Sequence, residues 1–214
     1  MKSKKNIVRV VAMLLVLLMV VGVLSAGFTA LAAAKPYPTV LPRQEIFFQG
    51  KRFFPEQHYV VAKRGVLWVE EGTTLVIEGT LENHGLIRND GTIIVTDVIG
   101  EDEDGYPYAP GNLSNQGTIE NNGRIQVANA YVYNYPRAVF ENKGTLELKS
   151  QKDVGTLFHN MVRPQAEYLY KAELINTGKI IVANEFGTGL TNHEGALLDN
   201  QGEIVIATPE GKVT

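Results

Sequence analysis

Residues 79–95 read GTLENHGLIRNDGTIIV, with Gly at 79, 85 and 91 and an Asn two residues before each of the last two. Written from its apolar start, the unit is Leu/Ile/Phe-x-Asn-x-Gly-x-Ile/Leu. It begins at Leu81, Ile87, Leu113, Ile119, Phe140, Leu174 and Leu198. A short unit recurring through most of a chain marks a repeat architecture, because one such unit cannot bury an apolar face until neighbours stack on it.

Parity gives the direction of the side chains. In extended chain, alternate residues share a face, so Leu81, Asn83, Gly85, Ile87, Asn89, Gly91 and Ile93 point one way and Thr80, Glu82, His84, Arg88, Asp90 and Thr92 the other. The first set is core and the second faces water. A flat strand with Gly so often would be poor. The expectation is therefore a chain that bends at each Asn-x-Gly, with Gly supplying backbone freedom for a corner. Stacked coils of this kind make a solenoid.

Inward asparagines fit such a stack. An amide carries donors and acceptors, so Asn above Asn can form a ladder. The expected ladder residues are Asn83, Asn89, Asn115, Asn121, Asn142, Asn176 and Asn200. The alternative is a set of solvent-facing turn residues without a ladder, since Asn-x-Gly is ordinary turn chemistry.

The ends of the chain differ from the repeat. Lys2, Lys4, Lys5 and Arg9 precede an apolar run and the small-residue stretch Ala30–Ala34, the pattern of an export signal over residues 1–34. An uncleaved anchor is the competing reading, and it would be the sole membrane contact. Cleavage would remove four cations and no acid, taking the net charge from -3 to -7. No basic footprint for nucleic acid remains. The absence of cysteine excludes disulfides, thiolate metal sites and a Cys nucleophile. Residues 35–44 hold three prolines and read as a linker, 45–65 as an aromatic N-terminal cap, 66–207 as the solenoid and 208–214 as a thin tail. The segments between repeats, 96–112, 128–139, 149–173 and 183–197, read as excursions of unequal length. The third of them holds a candidate short helix at 160–172, after Pro164.

The stretches GTTLVIEGTLENHGLIRNDGTIIV, LSNQGTIENNGRIQV and LINTGKIIV resemble the Asn-Gly-Thr-Ile repeats of secreted bacterial right-handed parallel β-helices. That family includes surface adhesins and solenoids of the pectate-lyase-like superfamily. The resemblance implies an all-β, single-stranded right-handed parallel β-helix of about five to six coils. A left-handed hexapeptide helix of the acyltransferase type is the alternative, disfavoured by the unequal excursions. Neither resemblance names a reaction, because repeat residues build the coil.

Candidate chemistry is sparse. The acidic run Glu101–Asp104 lacks the alternating spacing of a calcium loop and reads as a solvated loop, so no metal or cofactor is expected. His159, Arg163 and Glu167 are acid–base types close in sequence, but their spacing fixes no mutual geometry. No catalytic residue is expected. Tyrosines are more suggestive: Tyr131, Tyr133 and Tyr135 alternate, and Tyr106, Tyr108, Tyr168 and Tyr170 form two further pairs. Rigid rings with a polar tip suit contact with glycan or protein, and otherwise cover the solenoid flank as packing. The sequence thus predicts an exported structural or adhesive solenoid, secreted or at the cell surface, binding an extracellular glycan or surface protein through loop tyrosines. A polysaccharide lyase or hydrolase is the alternative. The thin tail further suggests end-to-end self-association through exposed strand edges.

Overall fold

A computed structural model describes residues 39–47, 50–54, 58–96, 111–150, 155–163, 170–183 and 188–207. All described residues belong to one compact unit, Pro38–Thr214. The export segment, the acidic run 101–104, Glu167, the tail 208–214 and Tyr106, Tyr108 and Tyr168 lie outside the described residues.

Three seven-stranded sheets, parallel throughout, wrap one core. Each coil contributes one strand to each sheet, A, B and C in turn. Coil 1 is β1 (Thr39–Val40), β2 (Gln44–Phe47) and β3 (Gly50–Phe54). Coil 2 is β4 (His58–Val61), β5 (Val66–Val69) and β6 (Thr73–Ile77). Coil 3 is β7 (Thr80–Asn83), β8 (Leu86–Asn89) and β9 (Thr92–Thr96). Coil 4 is β10 (Gly111–Asn115), β11 (Thr118–Asn121) and β12 (Arg124–Ala128). Coil 5 is β13 (Ala130–Asn134), β14 (Val139–Asn142) and β15 (Thr145–Lys149). Coil 6 is β16 (Thr156–Asn160), β19 (Glu173–Asn176) and β20 (Lys179–Ala183), with the antiparallel pair β17 (Val162–Arg163) and β18 (Tyr170–Lys171) inserted at its first corner. Coil 7 is β21 (Thr188–Asn192), β22 (Leu197–Asn200) and β23 (Glu203–Ala207).

The protein is therefore an all-β parallel solenoid. Its described residues make seven coils where counting repeats gives five or six. Residues 45–65, expected as a cap, hold strands that pair parallel into the three sheets, Glu45 with Leu67 and Tyr59 with Leu81 among them. The supposed excursions also contain whole strands: β13, β16 and β21 end in Asn134, Asn160 and Asn192 without a Gly two residues later. No helix occurs among the described residues. The candidate at 160–172 is instead the end of β16 and the base of the β17–β18 pair, as far as it is described.

The register stacks like on like. Leu81, Leu113, Val132 and Phe158 form one column and Ile87, Ile119, Phe140 and Leu174 another, all but fully buried. Each such side chain stabilises by about 1.5–3 kcal/mol on leaving water. Phe140 and Phe158 meet edge to face across the core at 5.1 Å.

The asparagines ladder, and they form two ladders rather than one. At the end of sheet A, Asn83, Asn115, Asn134, Asn160 and Asn192 link Nδ2 to the next Oδ1 at 2.7–2.8 Å. At the end of sheet B, Asn89, Asn121, Asn142, Asn176 and Asn200 do the same at 2.6–2.7 Å. The second amide proton goes to a backbone carbonyl of the following coil, as from Asn121 to Thr145 at 3.1 Å. In coils 3 to 6 the ladder donors therefore point toward the C-terminal end, while Asn192 and Asn200 donate within coil 7.

The corner glycines serve a purpose other than the expected one. Gly85, Gly117, Gly123, Gly144, Gly178 and Gly202 do not occupy the left-handed region, which among the described glycines is reached by Gly72 and Gly195. A Cβ on Gly117 would collide with Gly85 O, and one on Gly144 with Gly123 O. Close stacking of corner on corner, not backbone freedom, requires Gly. Where the sheet A corner is longer, a left-handed residue makes the turn: Arg64 (φ 67°), Arg137 (φ 77°) or Gly195 (φ 88°).

Candidate functional site

The stack turns parity into surfaces. Since register is kept from coil to coil, each outward position becomes a column running along the axis, with neighbours about 4.8 Å apart. Sheets B and C carry most of the charges outward: Arg88, Asp90, Glu120, Glu141 and Lys143 on B, and Arg124, Glu147 and Lys179 on C. Sheet A differs. From β7 to β21 its outward strand residues are Thr80 and Glu82, Asn112 and Ser114, Tyr131 and Tyr133, Leu157 and His159, then Gly189 and Thr191. Glu82 is the one formal charge in that set at neutral pH.

The three alternating tyrosines share a face, as their spacing predicts. They sit on strand β13 and its end rather than in a loop, because the supposed excursion is a sheet A strand. Tyr131, Tyr133 and Tyr135 run side by side across the sheet, ring centroids 6.1 Å apart at each step and tilted by 44° and 38°. His159, in the next coil, stacks on Tyr133 at 5.4 Å with only 7° between the planes. His193 follows at 5.5 Å from His159, and its Nε2 lies 3.3 Å from His159 Nδ1. Burial, then the two neighbouring tyrosines, raises the Tyr133 hydroxyl above its ordinary pKa. Burial, then the nearby His193, lowers that of His159.

Tyr170 is separate from this strip. It lies exposed on β18, with the Arg137 guanidinium 3.5 Å from its ring centroid. A cation on an aromatic face contributes about 0.5–1 kcal/mol at an exposed site. That contact pins the inserted pair to the corner of coil 5.

Sequence reasoning singled out His159 but missed its grouping with the other histidines. All four in the chain, His58, His84, His159 and His193, belong to sheet A strands or their corners, although 135 positions separate the first from the last. At the N-terminal side Glu82 holds two of them, with His58 Nε2 at 3.0 Å, His84 Nε2 at 2.7 Å and Gln116 Nε2 donating at 2.8 Å. The signal was parity: each follows the outward phase of its strand, but three of those strands lack a full repeat.

A second feature, also unforeseen, centres on Trp68. An open depression of about 540 Å³ on sheet B is lined by Trp68, Glu70, Glu71, Asp90 and Asn122. Trp68 Nε1 donates to Asp90 Oδ2 at 2.6 Å, Arg88 Nε at 2.9 Å, and Asn122 Nδ2 to Oδ1 at 2.7 Å. Burial would raise the Asp90 pKa, but these three hydrogen bonds and the Arg88 charge outweigh it and leave the carboxyl below its ordinary value. The Arg88 guanidinium covers one face of the indole at 5.1 Å.

The two histidine groups of sheet A are distinct, one gathered on Glu82 and the other beside Tyr133. Glu82 and His159 sit three coils apart on sheet A, about 14 Å along the axis, beyond the reach of a shared proton. Among the described residues no group of three or more His, Asp or Glu converges as a metal cage. The fold and the site therefore rest on the geometry of this chain: no known protein family, curated protein or solved structure matches it.

Proposed function

We propose that this is an exported structural or adhesive solenoid, at the cell surface or beyond it, that holds a glycan against the outward face of sheet A. The observation that carries the reading is the Tyr131–Tyr133–Tyr135 strip with His159 stacked beneath Tyr133, on a face with little formal charge. Pyranose rings present C–H faces that rest on aromatic rings, while Tyr hydroxyls and the flanking Asn112 and Gln116 offer hydrogen bonds. A rigid strand holds the rings at low entropic cost. The right-handed, adhesin-type or pectate-lyase-like affiliation suggested by the repeats accords with this role.

Retention on a panel of immobilised neutral and acidic polysaccharides tests it. The chain should be retained by at least one, and Tyr133→Ala should weaken retention with the far-UV spectrum unchanged. No retention, or retention indifferent to Tyr133→Ala and Tyr131→Ala, rejects the reading. Binding without turnover is proposed here. New reducing or unsaturated ends after incubation with a bound polysaccharide would move the assignment to a lyase or hydrolase.

A further inference from the structure

We propose that His159 and His193 form a surface site for a divalent transition-metal ion, of the Zn²⁺ or Cu²⁺ class, independent of the glycan reading. The two ring nitrogens that face each other, Nδ1 of His159 and Nε2 of His193, are 3.3 Å apart. Two imidazoles bound to one tetrahedral ion at metal–nitrogen distances of about 2.0–2.1 Å place their nitrogens about 3.4 Å apart. The pair therefore already has the nitrogen separation of a chelate, and a turn of the exposed His193 ring brings both lone pairs onto one ion.

The fold explains why. His159 lies on β16 and His193 just beyond β21, the adjacent strand of the same sheet, with Asn160 O accepting the His193 backbone N–H. The stack thus fixes both backbones. Tyr133 fixes the His159 ring plane by stacking on it, so little ordering remains to be done on binding. In the resting protein one imidazole donates to the other. On metal binding that proton moves within its own ring, leaving His159 protonated on Nε2 and His193 on Nδ1, with both facing lone pairs on the ion. No proton is lost and no redox step is needed.

The other histidine pair behaves differently. Both Nε2 atoms of His58 and His84 are taken by the Glu82 carboxylate. At His159–His193 no third His, Asp or Glu converges among the described residues. The ion would keep two protein ligands and leave its remaining positions to water or to oxygens of a bound partner. Imidazole selects zinc, copper or nickel over Ca²⁺ and Mg²⁺, which demand oxygen.

Calorimetric titration of the full chain with zinc chloride near neutral pH tests the site, with proton NMR of the four histidine rings as a second readout. We expect one saturable equivalent of zinc, weakened about tenfold or more by His159→Ala and by His193→Ala, since even an outer-shell change costs about that much. The His159 and His193 ring signals should move while those of His58 and His84 stay. His193 is exposed, so its variant should leave the stack intact and decides the matter if His159→Ala disturbs folding. Absence of saturable binding, binding that His193→Ala retains in full, or ring shifts confined to His58 and His84 would each overturn the proposal.

Discussion

Gly123 and Gly72 are both corner glycines, yet they are glycine for opposite reasons. Gly123 has no left-handed φ, but a Cβ there would meet Gly91 O; Gly72 has φ 78° and open space around its missing Cβ. Substitution should separate them. Gly123→Ala overfills a stacked corner and should cost about 1–3 kcal/mol. Gly72→Asn should be nearly silent, because Asn tolerates the left-handed region. Equal shifts of the urea midpoint for the two variants would refute the distinction. The ladders allow a second comparison. Asn121 is fully buried, receives from Asn89 and donates to Asn142, so Asn121→Ala strands polar groups on both sides and should cost about 1–3 kcal/mol. Asn200 ends its ladder exposed, and Asn200→Ala should fall within about 0.5 kcal/mol of wild type. The ladder start is already imperfect: Asn89 Oδ1 is buried without a hydrogen-bond partner.

Strands β5, β8 and β11 illustrate what one element borrows from its neighbours. Trp68, Arg88, Asp90 and Asn122 come from three successive coils and converge on the Asp90 carboxylate, which is held below its ordinary pKa. A carboxyl whose folded pKa is lowered contributes stability that is present above the unfolded value, about 3.9. That contribution is lost as pH falls through the folded value. Asp90→Asn should therefore lower the urea midpoint at pH 7 and flatten its decline below about pH 4; an unchanged pH profile would disprove the coupling. The element scale is also where the sequence was least legible. Strands such as β11, Thr118–Asn121, carry apolar, Asn and Gly at set offsets and can be read directly. Strands β13, β16 and β21 keep the apolar residue and the Asn but turn through longer corners, so the Gly is missing and the strand hides in an apparent excursion. The parity of Tyr131, Tyr133 and Tyr135 survived that error, because alternation is a property of extended chain whatever follows it.

Along the whole stack, each coil is held mainly by the coils on either side, so an end coil has half the support of an interior one. Coil 7 shows it: Ile206 and Ile204 are 74% and 39% exposed although their counterparts Val127 and Ile125 are fully buried. Ile125→Glu should unfold the domain, whereas Ile206→Glu should be tolerated. If this end takes part in end-to-end self-association, the sedimentation coefficient should rise with protein concentration and Ile206→Glu should abolish the rise. Monomer at every concentration rejects that expectation. What the sequence determined by itself was local and periodic: which side chains face inward, where Asn-x-Gly corners fall, that amides can ladder, and that coils must stack. These follow from backbone geometry and burial acting over a few residues. The tertiary structure decided what depends on register between coils: seven turns in place of five or six, two ladders in place of one, glycine required by the carbonyl of the coil above, and four scattered histidines gathered on the face that carries the tyrosines. Register is set by the length of each corner and excursion, and only the stacked chain shows which positions become neighbours across the 19 to 34 residues between coils.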